Sequence, residues 1–199
     1  GLSRFLTQAH SYVPVGEIDC IKDPHTDSPI VPSVVSFLDV GERPKGKKEP
    51  SILSPHPSFV LVGQAAKQRI ETHPHETFYH AKRVLGRAPS DTAVAELQQE
   101  VEFEVYTDGE VVAFGLNQND GTSFISPVQV GSYVVDHLIG ITKEYLGHEN
   151  VKSAVIAVPA KFDAEQRRAT AQAFQLAGVT VTRILEEPVA AALAYGLHR

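Results

Sequence analysis

The chain has 199 residues, of which 42% are apolar, and a chain of this length and composition can bury a core in one or two compact units. Its net charge of −6 argues against a nucleic-acid-binding protein, because such proteins usually present a basic face. Its single cysteine, Cys20, excludes an internal disulfide, and no apolar run approaches the roughly 18–20 residues that cross a membrane.

The first third of the chain predicts short strands and one long polar loop. Residues 12–15, 17–21 and 30–37 each have strand composition, and Pro32 predicts a bend or an edge position in the last of them. Residues 41–58 form a polar insert rich in lysine, serine and proline. Its basic residues could meet an acidic partner, but the glutamates between them favour a solvated loop.

The next stretch predicts a strand at 59–62, a short helix at 64–70 and a segment at 72–86 that ends at Gly86, a typical residue after a helix. Three histidines fall within residues 73–80, which raises the possibility of a metal site. No further ligand recurs with them at metal-ligand spacing, and this argues against one.

Residues 92–124 indicate an antiparallel region. Residues 93–100 fit a helix or a strand equally well, whereas 101–106 alternate between apolar and polar as a strand does. An Asp-Gly turn at 108–109 then leads to a returning strand at 111–114.

A long helix is predicted from residue 126 to Gly147. Ser126 and Gln129 form a capping box, with Pro127 at the first helical position. The apolar residues at helical spacing are Val130, Val134, Leu138, Ile141 and Tyr145.

The last part of the chain, residues 152–199, predicts a strand, a helix, a second strand and a second helix. The strand at 153–158 stops at Pro159, and the strand at 180–185 stops before Glu187. Asp163 caps the helix between them, which ends before Gly178. Because ligands bind beyond the carboxyl ends of parallel strands in open α/β sheets, we expect site residues at these two breaks.

Glu187 is the strongest local candidate, a carboxylate at a strand end and a helix N-terminus, where the helix dipole stabilises its charged form. It could orient a water or hold the hydration shell of Mg²⁺, although its spacing alone favours a plain helix cap. Pro159 fits a strand terminator, Arg167 fits a solvated helix residue, and Arg183 faces either water or a partner. No G-x-x-x-x-G-K loop, G-x-G-x-x-G fingerprint, Ser-His-Asp elbow or paired-cysteine motif occurs.

Two segments, residues 155–167 and 183–197, resemble the nucleotide-binding domain of the heat-shock 70 chaperones. Shorter matches follow the same order at residues 31–33, 62–67, 80–87 and 144–147. The resemblance covers roughly residues 17–199 apart from the insert. Residues 126–127, 130–132 and 197–198 are most similar to the microsomal stress-70 ATPase core, a divergent subtype that lacks a peptide-binding domain.

The resemblance implies an α/β, actin-like ATPase fold of the ribonuclease H-like type, of which this chain is the first lobe. Residues 1–38 with 126–199 then form an inner subdomain, and 39–125 form a smaller outer one that carries the insert 41–58. The implied function is ATP-driven chaperoning in protein folding and the stress response, with ATP or ADP and Mg²⁺ bound in the complete domain. The implied compartment is left open between the cytoplasm and the endoplasmic reticulum.

The resemblance also implies roles for five residues. Lys82 contacts the phosphates and helps to position the attacking water, while Glu187 acts through the Mg²⁺ shell and the water, so that no side chain binds the metal directly. Pro159 and Arg167 match a proline switch and its arginine partner, which relay nucleotide state. Arg183 matches the surface that binds J-domain cochaperones. Nucleotide-exchange factors, and unfolded clients held by a separate domain, are the other implied partners.

The chain departs from the family pattern in its phosphate loops. Neither Ile-Asp-Leu-Gly-Thr-Thr nor Asp-Leu-Gly-Gly-Gly-Thr occurs in it. Glu186 replaces a usual Asn, Val189 a usual Thr and Lys161 a usual Tyr. We therefore expect a fragment or truncated form of the ATPase domain that alone lacks full ATPase activity. A non-enzymatic module that binds J-domain cochaperones is the alternative, and an actin-fold sugar kinase is disfavoured.

Overall fold

The computed structural model describes residues 20–38, 59–118 and 121–195. The predicted strand at 12–15, most of the one at 17–21 and the insert at 41–58 lie outside these residues. Described residues within Pro32–Val134 form one compact unit, and those up to Val31 together with those from Val135 onward form the other. The assignment of an inner and an outer subdomain, divided after residues 38 and 125, stays a prediction.

The unit from Pro32 to Val134 begins with a small antiparallel sheet. Its strands are β1 (Val35–Phe37), β2 (Val60–Val62) and β3 (Thr77–Phe78), in the order β2-β1-β3. The strand predicted from residue 30 begins only at Val35, because Pro32 cannot donate to a ladder. The buried hydroxyl of Ser36 is satisfied by Thr77 Oγ1 and by Arg69 Nε, both at 2.9 Å.

This unit also contains three short helices, α1 (Gln64–Lys67), α2 (Ala81–Val84) and α3 (Thr92–Glu100). Helix α1 packs against β1 and β2, and α2 packs against α3. A 3-10 turn, Pro74–Glu76, precedes β3. The segment that was ambiguous between helix and strand is α3, which Asp91 caps by accepting a bond from Ala93 N at 2.9 Å. Its buried face consists of Val94 and Leu97.

A second antiparallel sheet contains β4 (Val105–Thr107), β5 (Val112–Gln118) and β6 (Gly121–Ile125) in that order. The strand predicted at 101–106 was wrong for its first half, because Val101 N still bonds to Leu97 O as the cap of α3. The Asp-Gly turn is confirmed: Gly109 has φ 96°, and Asp108 Oδ1 accepts from Glu110 N and Val111 N at 2.9 Å.

The long helix α4 (Pro127–Leu146) has the predicted capping box. Gln129 N donates to Ser126 Oγ at 3.2 Å, and Ser126 N donates to Gln129 Oε1 at 2.9 Å. Four of the five predicted apolar positions are buried, namely Val130, Val134, Leu138 and Ile141. Tyr145, in the last turn, is 56% exposed, so the core ends before the helix does.

The C-terminal unit contains the predicted strand-helix-strand arrangement. Strands β7 (Ser153–Val158) and β8 (Thr180–Glu186) are parallel and are joined by α5 (Ala164–Leu176), and α6 (Glu187–Ala194) follows. Their common core consists of Val135, Ile139, Ala154, Ile156, Val158, Phe174 and Val179. The pairing shifts by one residue at Thr182, whose hydroxyl donates to Ala154 O at 3.2 Å.

Candidate functional site

The turn at the end of β7 connects Pro159 to the start of α5. Phe162 N donates to Pro159 O at 3.0 Å, which closes the turn. Asp163 then caps α5 reciprocally: Gln166 N donates to Asp163 Oδ1 at 2.9 Å, and Asp163 N donates to Gln166 Oε1 at 3.3 Å. Gln166 is buried, so the helix start is held from inside the core.

Arg167 links this turn to the end of β8. Its Nε donates to Phe162 O at 2.9 Å, and one terminal nitrogen lies 3.4 Å from Ala160 O and 3.1 Å from Glu186 Oε1. The Arg167 side chain is 29% exposed and that of Glu186 is 44% exposed, so the ion pair is partly screened from water. The two strand ends are therefore joined by one guanidinium.

Glu187 is the first residue of α6 and directly follows Glu186, the N-cap residue. Its backbone position is fixed on one side by the parallel pairing of Glu186 with Val158 and on the other by Pro188 in the first turn of α6. Glu187 itself is half-buried. A carboxylate here lies at the carboxyl end of a parallel strand and at a helix N-terminus, a position that suits a charged group.

Lys82 lies on α2, a helix of four residues. The first and last residues of this helix, Ala81 and Val84, are buried. Arg83 forms ion pairs with Glu100 and, at 3.3 Å, with Glu96 of α3. The hydrogen bond to Glu100 raises the pKa of Arg83 and lowers that of Glu100. These contacts hold α2, and with it the half-buried Lys82, against α3.

The residue before α2, His80, has an uncommon backbone conformation. Its φ of 61° lies in the left-handed region, and its ring meets that of Tyr79 with centroids 5.0 Å apart.

The other two histidines contact Thr72 Oγ1 (His73, 2.8 Å) and Glu102 O (His75, 2.9 Å). Within the described residues, no three His, Cys, Asp or Glu side chains gather as a possible metal site.

Arg183 is exposed on β8, next to the irregular pairing at Thr182. It belongs to the same unit as Pro159, Arg167 and Glu187. Lys82 belongs to the other unit. The described contacts thus unite the Pro159 turn, Arg167 and the Glu186–Glu187 junction.

The comparisons with known proteins identify the family. The family model described as "Hsp70 protein" matches residues 16–199. This chain belongs to the Hsp70 family. It is 38% identical over 161 residues to a mitochondrial-type heat shock protein 70 from Encephalitozoon hellem, a match that covers 79% of this chain and 26% of that protein. It is 39% identical over 153 residues to heat shock 70 kDa protein 13 from Bos taurus, which covers 75% of this chain and 31% of that protein.

The chain therefore spans less than a third of the length of these two Hsp70 relatives. Membership of the Hsp70 family confirms the predicted family and its actin-like α/β fold. It also supports nucleotide binding as the general property of the matched domain. In the part of the chain that the structure describes, no helix is long and apolar enough to span a membrane.

Sequence reasoning missed two residues whose ion pairs hold the candidate site residues, one in each unit. Glu186 was identified only as a replacement, and its pairing with Arg167 joins residues 19 positions apart in the chain. Arg83 lies in the matching segment 80–87, and its partner Glu100 lies 17 positions away on the next helix. Neither pairing has a local sequence signal, because both depend on how separate elements pack.

Proposed function

We propose that this chain forms part of the ATP-binding and ATP-hydrolysing domain of an Hsp70 chaperone, and that Lys82 and Glu187 act at the phosphates. The family match over residues 16–199 carries this proposal. The position of Glu187 supports it, since in α/β proteins of this kind ligands bind beyond the carboxyl ends of parallel strands.

Lys82 would supply positive charge to the reaction. Phosphoryl transfer is catalysed mainly by positioning and by stabilising the negative charge that spreads over the phosphate oxygens. An ammonium group is a compact charge that suits this task. The ion pairs of Arg83 with α3 hold the short helix α2 in position. Little backbone conformational entropy is therefore lost when Lys82 contacts the phosphates.

Glu187 would orient the attacking water. Mg²⁺ usually keeps several waters of its shell, so the half-buried carboxylate of Glu187 would hold the ion through those waters. Bound Mg²⁺ would neutralise phosphate charge. Glu187 would meanwhile accept a hydrogen bond from the water that it orients.

The link between the Pro159 turn and Glu186 supports a relay role. Arg167 bonds both to the turn that follows Pro159 and to the residue that precedes Glu187. A change at the phosphates that shifts Glu187 would therefore pull on Arg167 and on the turn. In this proposal Pro159 and Arg167 transmit nucleotide state, and Glu186 takes part where the family usually has Asn.

Hydrolysis and nucleotide affinity, measured separately on the full-length product of the gene, test the catalytic part of the proposal. Glu187→Gln keeps the shape of the side chain but removes its charge. We expect ATP hydrolysis to fall by about 100-fold while ATP affinity changes by less than about tenfold, since the water is oriented only for reaction. Glu165→Gln, on the exposed start of α5, is the control. Unchanged hydrolysis in Glu187→Gln would contradict the proposal.

The exposure of Arg183 supports a J-domain cochaperone as partner. A guanidinium exposed on an edge of the described β7–β8 pair suits an acidic motif of a partner. We expect Arg183→Ala to weaken J-domain capture in a pull-down, and Arg168→Ala, another exposed arginine, to leave it unchanged. Equal capture by Arg183→Ala and wild type would count against this partner.

Two further assignments rest on the family alone, and a third rests on a local resemblance. Nucleotide-exchange factors and unfolded clients, the latter through a separate domain, complete the proposed chaperone cycle. The microsomal stress-70 subtype is proposed from the sequence at residues 126–127, 130–132 and 197–198. Localisation of a tagged full-length protein tests the subtype, and a signal outside the endoplasmic reticulum would contradict it.

A further inference from the structure

The outer face of the β4-β5-β6 sheet carries two aromatic side chains in contact with each other. Tyr106 and Phe124 are 38% and 47% exposed, and their ring centroids lie 4.6 Å apart. On the opposite face of the same sheet, Val105, Phe114 and Ile125 are buried. The aromatic pair therefore does not belong to the core.

Small residues make this outer face flat. Ala113 is paired with Tyr106, and Gly115 is paired with Phe124. Glu104 continues the ladder through a bond from Gly115 N to its carbonyl at 2.9 Å, and its side chain lies over Gly115. The exposed side chains of this face are thus two aromatic rings and a carboxylate, with Ala113 and Gly115 buried on the same face, and we call them the aromatic platform (Glu104, Tyr106 and Phe124).

The sequence around the platform is uniformly acidic. Residues 101–126 contain five acidic residues and no lysine, arginine or histidine. Two of the acids, Asp108 and Glu110, are exposed in the turn that joins β4 to β5. The bonds that Asp108 accepts from the backbone of that turn lower the pKa of its carboxyl, so that this charge persists in mild acid.

We propose that the aromatic platform is a docking surface for a cationic peptide segment of a partner protein, in which arginine side chains alternate with aliphatic ones. A guanidinium can stack on an aromatic ring and pair with a carboxylate at the same time, and the platform offers both within one patch. The aliphatic side chains of the segment would cover the remaining ring surface.

The acidic charge at the platform disfavours anionic partners and a second copy of this chain. A nucleic acid or an anionic membrane surface would be repelled by the acidic residues. A second copy of this chain in the same orientation would bring a second Glu104 and a second acidic turn against the first. The platform is small, so we expect a weak and transient contact.

Nuclear magnetic resonance of the ¹⁵N-labelled full chain tests this surface. The probe is an acetylated and amidated six-residue peptide of alternating arginine and leucine, and the control probe replaces arginine by glutamate. We expect the arginine peptide to shift amide signals of β4, β5 and β6 near the platform in a saturable way, and the glutamate peptide to leave them unchanged. Shifts scattered over both units, or equal binding of the two peptides, would overturn the proposal.

Matched variants separate this contact from a loss of folding. The double variant Tyr106→Thr/Phe124→Thr keeps strand-forming residues and should weaken peptide affinity by about tenfold or more. Glu104→Gln should weaken it less and reduce its dependence on salt. Tyr145→Ser removes an exposed aromatic of α4 and should leave affinity unchanged. Equal weakening by Tyr145→Ser would refute the site.

A competing occupant lies within the chain, since the insert 41–58 is rich in lysine. A fourfold variant removes these positive charges from the insert, with the substitutions Arg43→Gln, Lys45→Gln, Lys47→Gln and Lys48→Gln. We expect the peptide to bind this variant and the wild type with the same affinity. Peptide binding that appears only in this variant would mean that the insert occupies the platform. That result would overturn the proposal of an external partner.

Discussion

A terminal nitrogen of Arg167 lies 3.1 Å from Glu186 Oε1, and this ion pair joins the turn after β7 to the end of β8. The same guanidinium holds Phe162 O at 2.9 Å, so it braces the segment between Pro159 and the cap of α5. The residue next in sequence to Glu186 is Glu187, the proposed water-orienting group. One side chain therefore connects the proposed relay to the proposed reaction centre.

Removal of Arg167 should destabilise the fold measurably. Arg167→Ala removes a partly buried guanidinium with three acceptors, and we expect the free energy of unfolding to fall by about 1–3 kcal/mol. Arg168→Ala is the matched control, because Arg168 pairs only at the surface with Glu165, with side chains 71% and 62% exposed. It should change stability by less than about 0.5 kcal/mol. Urea denaturation measures both, and equal losses would contradict the bracing role of Arg167.

Two glycines should respond in opposite directions to alanine. A Cβ on Gly115 would lie 2.9 Å from Glu104 Cβ, so Gly115→Ala should destabilise the chain by about 1–3 kcal/mol. Gly140 lies within α4 with nothing near its Cβ position, and Gly140→Ala should stabilise by up to about 1 kcal/mol. Thermal unfolding compares the two variants. A neutral Gly115→Ala would mean that Glu104 does not lie over Gly115.

His137 on α4 should make the stability of its unit depend on pH. Burial lowers its pKa, and the nearby His25 lowers it further, while Asp23 and Asp136 oppose these effects. A histidine with a lowered folded pKa favours the neutral form, so its stabilising contribution is present above the ordinary value of 6.5 and is lost as pH falls below it.

Urea midpoints at pH 7.5 and pH 5.5 check this effect of His137. We expect the wild type to lose more stability between these two values than His137→Gln does. The exposed His148 provides a control, and His148→Gln should behave as the wild type. The same pH response in wild type and His137→Gln would show that burial of His137 does not govern it.

Much of the fold follows from local signals in the sequence. The caps at Ser126 and Asp163, the Asp-Gly turn and the strands at 153–158 and 180–185 were all predicted, because each has a signal in neighbouring residues. The strand expected at 101–106 begins only at Val105, because Val101 is still the cap of α3. Apolar and polar residues still alternate in that segment, and tertiary packing overrode the pattern.

Local sequence patterns predicted less of the candidate site than of the fold. Position alone marked Glu187 as notable, whereas Lys82 has the local sequence of an ordinary surface lysine. Its assignment came from the family resemblance, and its role stays a prediction. The ion pairs of Arg83 with Glu100 and of Arg167 with Glu186 connect residues 17 and 19 positions apart, so only the packing of separate elements reveals them.

The most direct test of the account is a double-mutant cycle on ATP turnover, with the full-length product of the gene. Lys82→Ala and Glu187→Ala should each lower turnover by at least about 100-fold, and the double variant should be little worse than either, because residues that serve one reaction act as a unit. Losses that multiply in the double variant would show that the two residues contribute independently, against this expectation. Turnover that is unchanged in both single variants would contradict the account outright.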